Sequence, residues 1–500
     1  MASNGKSDGA STSSPVSENY KDIDMQMDGA LSYIQNAGND ASPVDEKLVV
    51  RKIDWRIIPI MFACYTMQFL DKVLINYAAV MGLPKDLKLV GNQFTWAATA
   101  FSIAYLIAEI PTGYILQKVP VGRYLAVNVI LWGIATGCTA AAKDFNGLLI
   151  ARIFLGIFEA AIAPCLTIIT GMWYTKSEQP PRFGFWYCGL GLGQIVGGVI
   201  SFGFQQVKGE SIAGWKIMFI ALGLITVAIG VWTFFYLPDT PMGAGFLDKN
   251  ETVFVLERIG ENQTGVQGKK FITSQAVELA LDPQIYFMIM ITVLCSVSSG
   301  VITTYSATII KNFGYSGPNS ALLNTPSGIV SIVVSILSSI AVGRSSNRWL
   351  WIAGLAVPGA MGGALMSFLP ASNKAGLLAG IYLVNSIVPV LLLVFNWLSS
   401  NIAGHTKRSI ATSLVAGAFS IGSIIGPQTF QARDAPNYYP AKIAVLATQA
   451  GAALFAVFLR LYYGWQNSLK EKRSQELSEH QDDHVSDDFK WGNCKIPPPL

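Results

Sequence analysis

The chain has 500 residues, of which 51% are hydrophobic and only 13% charged, against about 25% charged in ordinary soluble proteins. Its mean hydropathy is +0.42, which excludes a string of soluble domains and points to a polytopic membrane protein. The net charge of +4 is too small to argue for nucleic acid, and no nucleic-acid partner is expected.

Residues 1–46 open the chain as a Ser-, Gly-, Asn- and Asp-rich tail without an apolar run, expected to be disordered, cytoplasmic and free of a signal peptide. A basic lead-in, Lys47 to Asp54, precedes the first of twelve apolar segments, each long enough to cross a bilayer. The expected spans are 56–77, 93–116, 124–142, 147–170, 183–204 and 215–237, then 284–307, 320–343, 349–370, 376–399, 409–430 and 441–463. Continuous apolar runs exclude a β-barrel, whose strands alternate over about ten residues. The predicted fold is therefore all-α. Twelve transmembrane helices form an N-terminal six-helix bundle (47–237) and a C-terminal one (284–463). A polar cytoplasmic linker (238–283) joins them and a cytoplasmic tail (464–500) follows. Within the linker, Glu251 to Ile259 reads as a surface helix.

Orientation follows from the basic residues. With the N-terminus inside, the inner loops and flanks hold about 20 Lys and Arg and the outer loops about 9, which places both termini in the cytoplasm. The sequons at Asn250 and Asn262 then lie in the cytoplasmic linker and are expected to carry no glycan. Cys64, Cys138, Cys165, Cys188, Cys295 and Cys494 show no metal-ligand spacing, and His405, His480 and His484 form no cluster, so no metal is expected.

Charge inside the spans carries the chemistry. Arg152 and Glu159 lie seven residues apart in the fourth segment, two turns along one helix face. Each costs about 2.5–3.5 kcal/mol at membrane depth, so that face looks at protein or water. Either the two form an internal ion pair that holds helices together, or they are an anion-binding arginine beside a proton-carrying glutamate. Span one offers Gln68, Asp71, Lys72 and Asn76; Lys72 either lines the path or snorkels to the outer surface. Asn396 in span ten is a substrate hydrogen-bonder or helix-to-helix glue, and Glu109 near the inner end of span two is a gate residue or a solvated carboxylate. Tyr105, Tyr305 and Trp397 are candidates to stack on a ring. Glycines crowd the corresponding spans five (Gly189, Gly191, Gly193, Gly197, Gly198) and eleven (Gly417, Gly422, Gly426), where close helix approach is expected. A nucleotide loop is excluded, since no strand precedes the glycines and no lysine follows at the right place.

The loop Gly113 … Gln117-Lys118 … Gly122-Arg123, echoed by Gly343 … Asn347-Arg348, resembles the cytoplasmic signature of the major facilitator superfamily, with Gln117 and Asn347 where an aspartate is usual. The run Arg152-Ile-Phe-Leu-Gly-Ile-Phe-Glu159, with Asp71-Lys72 in span one, resembles the anion:cation symporter family. Lys52-Ile-Asp-Trp-Arg56 and Asn401-Ile-Ala-Gly-His405 resemble its fungal allantoate permease branch. The resemblance covers roughly residues 45 to 465. It implies proton-coupled import of a small organic anion such as allantoate, nicotinate or pantothenate. Arg152 and Lys72 would be anion ligands, with Gln68, Asn76 and Asn396 assisting, and Glu159 and Asp71 proton carriers. Gly113, Gln117, Lys118, Gly122, Arg123, Glu109, Asn347 and Arg348 would form the cytoplasmic gate. The implied protein is a monomer of the plasma membrane that uses a proton gradient and no cofactor, and it is not an enzyme. An exporter of an acidic metabolite by proton antiport is the alternative within transport; a transporter-like nutrient sensor is the alternative outside it.

Overall fold

A computed structural model describes residues 33, 44–116, 118–206, 212–260, 273–344, 348–402 and 405–490. Among these residues, twelve helices are long and apolar enough to span a membrane. They are α1 (Glu46–Met81), α2 (Gln93–Ile115), α3 (Val121–Ala141), α4 (Phe145–Trp173), α5 (Gln179–Gln206), α6 (Gly214–Tyr236), α7 (Pro283–Asn312), α8 (Gly317–Ile340), α9 (Arg348–Phe368), α10 (Lys374–Leu398), α11 (Ile410–Gln428) and α12 (Tyr439–Leu469).

Helix α1 starts about three turns before the expected span. Asp45 caps it, accepting from the Lys47 and Leu48 amides at 3.0 and 3.4 Å, so the basic lead-in is a helical extension of the span. It stops at Gly82, whose φ of 109° only glycine adopts without strain. At the other end of the chain the helix runs past the span into the expected tail, as far as Lys490. Between Trp465 and Lys490 there is no Gly or Pro to stop it, and Ser, Asp, Gln, Glu and Lys dominate. The N-terminal tail falls almost wholly outside the described residues.

Four spans are interrupted. The helix of α4 breaks at Ala160 and Ala161, directly after Glu159; α5 breaks at Cys188; α8 at Asn324; and α10 tightens into a 3₁₀ turn at Asn385–Ile387. Such breaks are tolerated at membrane depth only where neighbours satisfy the freed backbone.

Glycine sets the closest approaches. A Cβ at Gly193 would sit 2.7 Å from the Thr66 carbonyl of α1, and one at Gly191 would sit 2.5 Å from the Gly328 carbonyl of α8. Helix α5 is thus wedged between its own half and the other. In the second half, Gly422 and Gly426 bring α11 onto α7, with carbonyls of Val293 and Val297 at 2.6 and 2.5 Å from the missing Cβ. Each half has its own apolar core, and the halves meet through α1, α2 and α5 on one side and α7, α8 and α11 on the other.

The linker's first helix, Lys249–Gly260, is the expected surface helix, and it docks on the N-terminal half. Lys52 meets Glu251 at 2.6 Å, and Arg258 reaches Glu46 at 3.4 Å and pairs with Glu178. The second, Thr273–Ala280, docks on the C-terminal half through Lys407, which lies 2.7 Å from Glu278 and 3.7 Å from Asp282.

Candidate functional site: a charged cavity between two six-helix halves

A cavity of about 210 Å³ lies between the halves. Its N-terminal wall carries Gln68 and Lys72 from α1, Phe101, Tyr105 and Glu109 from α2, and Arg152 from α4. Among the described residues, its C-terminal wall carries no charged one.

Arg152 is 2% exposed, yet its Nε and Nη1 have no hydrogen-bond partner among the described residues. Its guanidinium stacks 5.4 Å from the Phe101 ring centroid. A buried cation left in this state costs several kcal/mol, which a planar anion in the cavity would recover through two parallel hydrogen bonds.

Lys72 does not snorkel outward. Its ammonium lies 5.0 Å from the Tyr105 ring and 5.9 Å from that of Phe101, and 3.5 Å from Glu159 Oε1. Glu159 is fully buried and lies behind Lys72 rather than on the cavity wall. Neither carboxylate oxygen accepts a hydrogen bond among the described residues, so Lys72 is its close charged partner. The pair the sequence suggests, Arg152 with Glu159, is therefore replaced by Lys72 with Glu159.

Asp71 points the other way. It is 1% exposed, accepts from the Trp132 indole and from Thr136 Oγ1 at 2.9 Å, and does not line the cavity. Adjacent residues on a helix are about 100° apart, so with Lys72 in the cavity Asp71 must face α3. Asn76 is likewise removed from the cavity: it donates to Ser306 at 2.8 Å and accepts from the Ala307 amide at 3.0 Å. Gln68 and Glu109 do line the cavity; Asn396 is engaged elsewhere. Of the candidate stacking aromatics only Tyr105 reaches it. Trp397 stacks on Tyr463 at 5.8 Å, and Tyr305 stacks on Phe430 at 4.1 Å.

Asn76 belongs to a seal above the cavity. Ser306 also accepts from Asn324 at 2.9 Å; Asn324 donates to Tyr77 at 3.2 Å; and Tyr77 donates to the Gln194 carbonyl at 3.0 Å. Thr95 with Tyr305 (2.6 Å), Asn92 with Gln431 (2.6 Å) and Gln428 with Thr99 (2.8 Å) extend it. At the opposite end of the cavity, on its own wall, the Tyr187 hydroxyl crosses to the Val388 carbonyl at 3.1 Å. The sequence reading missed this seal, as well as Phe101, Trp132 and Thr136. An amide at 76 and another at 324, each in an apolar span, were the available signal.

Of the expected gate residues, Gly122 and Arg123 hold Asp239 at the start of the linker. Asp239 accepts from the Arg123 amide at 2.9 Å and pairs with its guanidinium at 3.0 Å, while a Cβ at Gly122 would meet its Oδ1 at 2.9 Å. Gly113 is open, Lys118 lies over Tyr114 at 4.8 Å, and Arg348 has a buried Nε without a hydrogen-bond partner. Gln117 and Asn347 lie outside the described residues.

Residues 61–427 match the family model described as Major Facilitator Superfamily. The chain belongs to that superfamily. It is 40% identical over 440 residues to the thiamine pathway transporter THI73 of Saccharomyces cerevisiae, covering 87% of this chain and 83% of that protein. It is 30% identical over 468 residues to the allantoate permease of the same yeast, covering 91% and 86%. These relatives place it in the fungal allantoate permease branch. Among solved structures, the D-xylose–proton symporter superposes with a TM-score of 0.63 at 14% identity, covering 81% of this chain and 97% of that one. An inward-facing bacterial homologue of the lysosomal transporter Spinster superposes with a TM-score of 0.58 at 17% identity, covering 81% and 96%. Both show the shared fold. The protein is a membrane transporter and not an enzyme.

Proposed function

We propose that this transporter imports a small organic anion, a carboxylate such as allantoate, nicotinate, pantothenate or a related metabolite, together with protons. It works as a monomer in the plasma membrane and needs no bound cofactor. The observation that carries the reading is Arg152, buried at the cavity wall with Nε and Nη1 unpaired. The lining holds two cations, Lys72 and Arg152, against one carboxylate, Glu109, which favours an anionic cargo over a cationic one.

Coupling follows from the Lys72–Glu159 contact. A substrate carboxylate that docks on Arg152 also draws Lys72, whose ammonium lies between Glu159 and the cavity. Glu159 is then a buried carboxylate without its cation, and a proton restores neutrality. Proton and anion binding each raise the affinity for the other. Asp71, tied to Trp132 and Thr136 away from the cavity, anchors α1 to α3 and takes no part in coupling in this scheme. The name of the yeast allantoate permease, which specifies a carboxylate, agrees with the anion reading.

The test is uptake of labelled allantoate, nicotinate and pantothenate by cells lacking their own permeases, at acidic and neutral external pH. Acid-stimulated accumulation of one anion is expected. Arg152→Ala is expected to lower it more than tenfold, since a buried charged hydrogen-bond partner is lost. Glu159→Gln is expected to leave exchange of that anion intact and to abolish accumulation against a gradient. Accumulation by Glu159→Gln equal to wild type sinks the coupling scheme.

A further inference from the structure

The two walls of the cavity differ in kind, and the difference specifies more of the substrate than its charge. All the charge is on the N-terminal wall. The C-terminal wall instead lines up hydroxyls on one face of α7 and one face of α11. Thr303 and Ser423 donate to carbonyls of their own helices, at 3.0 Å each, and keep only acceptor capacity. Ser299, Thr304 and Ser420 make no side-chain hydrogen bond among the described residues, though Thr304 is 6% and Ser420 3% exposed. Each can both donate and accept. These hydroxyls open onto the cavity, where water satisfies them until polar groups of a ligand take its place.

We infer that the substrate is a single-headed acid whose body is uncharged and rich in hydrogen-bonding groups, with Ser299, Thr304 and Ser420 as its specificity determinants. The inference rests on the anion reading above and adds to it. The carboxylate binds Arg152 and Lys72 on one wall, and hydroxyl, amide or ureido groups on the body meet the hydroxyl row on the other. A second carboxylate would face that row with no cation to pair with, so dicarboxylates are rejected. An acid with a bare hydrocarbon body would bind but leave the hydroxyls unpaired.

Three acids of matched length separate these cases: hexanoate, 6-hydroxyhexanoate and adipate. Binding is measured calorimetrically on the purified full-length protein. The hydroxy acid is expected to bind about three- to tenfold tighter than hexanoate, the worth of one neutral hydrogen bond. Adipate is expected to bind at least about tenfold weaker than the hydroxy acid. In Ser420→Ala and Thr304→Val, the ratio of hydroxyhexanoate to hexanoate affinity should fall toward one. In Ser420→Lys, adipate should gain relative to hexanoate. Adipate binding as tightly as the hydroxy acid overturns the inference, as does an unchanged ratio in both hydroxyl variants. If the three acids bind alike and Arg152→Ala weakens all of them, the inference fails while the anion reading stands. If none of the three binds, or if Arg152→Ala leaves their affinities unchanged, the anion reading fails and takes this inference with it.

Discussion

The outer and inner ends of the cavity are closed by different chemistry. At the outer end the two halves are joined directly by neutral side chains, with Asn76 on Ser306, Asn324 on Tyr77 and Thr95 on Tyr305. At the inner end ion pairs stitch each half to its own linker helix, and a hydrogen bond from Tyr187 to Val388 crosses between the halves. Neutral hydrogen bonds are worth about 0.5–1.5 kcal/mol net because water replaces them readily. A seal made of them is firm when closed and inexpensive to open. Ion pairs across the halves would be harder to exchange, and here they serve to keep each half rigid with its linker segment. Rigid halves that rock about a fixed site are what alternating access requires.

The comparison breaks most severely if the outer seal is made permanent. Replacing Asn76 and Ser306 by cysteines, in a background lacking the native cysteines, and oxidising the pair should abolish turnover, with recovery on reduction. An inner cysteine at Leu391 should remain reactive to a cytoplasmic thiol reagent throughout. Transport that persists after oxidation would show that this contact does not open in the cycle. The next largest effect is expected from Asn76→Ala. It removes two hydrogen bonds between the halves, to Ser306 and from the Ala307 amide, about 0.5–1.5 kcal/mol each and so about 1–3 kcal/mol in the sealed state. The outward-open population should rise about five- to hundredfold, read as faster labelling of a cysteine at Thr304 from outside.

The same comparison explains what the amino-acid sequence reveals. The twelve spans are legible because hydropathy adds over twenty residues and needs no partner. The breaks in them are not, because Asn324 can interrupt α8 only where Tyr77 and Ser306 receive its side chain, and those residues come from other helices. The seven-residue spacing put Arg152 and Glu159 on one face, but a rise of 1.5 Å per residue also sets them about 10 Å apart along the axis. That separation lets Lys72 insert against Glu159 and leaves Arg152 for the cavity. The resemblance put both Asp71 and Lys72 on the path, but neighbours on a helix diverge by about 100°, and of the two Lys72 lines the cavity. The hydroxyl row was invisible for a different reason: Ser and Thr occur throughout these spans, and only the cavity selects the ones that matter.

The smallest expected effect tests the inner end. Glu251 lies in the linker, where burial raises its carboxyl pKa but the Lys52 ammonium and the Asp248 amide outweigh that and hold it below the usual range. Glu178 is depressed too: burial raises it, and the Thr175 amide and hydroxyl and the Arg258 guanidinium lower it further. A carboxylate whose pKa is depressed on docking stabilises the docked form above its undocked pKa. That contribution disappears as pH falls through the docked value. Linker docking should therefore be constant through neutral pH and weaken only below about pH 4, the ordinary range for a glutamate. Arg258→Ala should weaken docking while the carboxylates are ionised, by roughly 1 kcal/mol, more through the part-buried Glu178 pair than through the contact to the exposed Glu46. Protection of the Lys249–Gly260 amides from hydrogen exchange reads this directly, and cavity binding of the anion should not change. Loss of anion binding in Arg258→Ala would mean that the inner ion pairs reach the cavity, and the separation of the two ends drawn above would have to be abandoned.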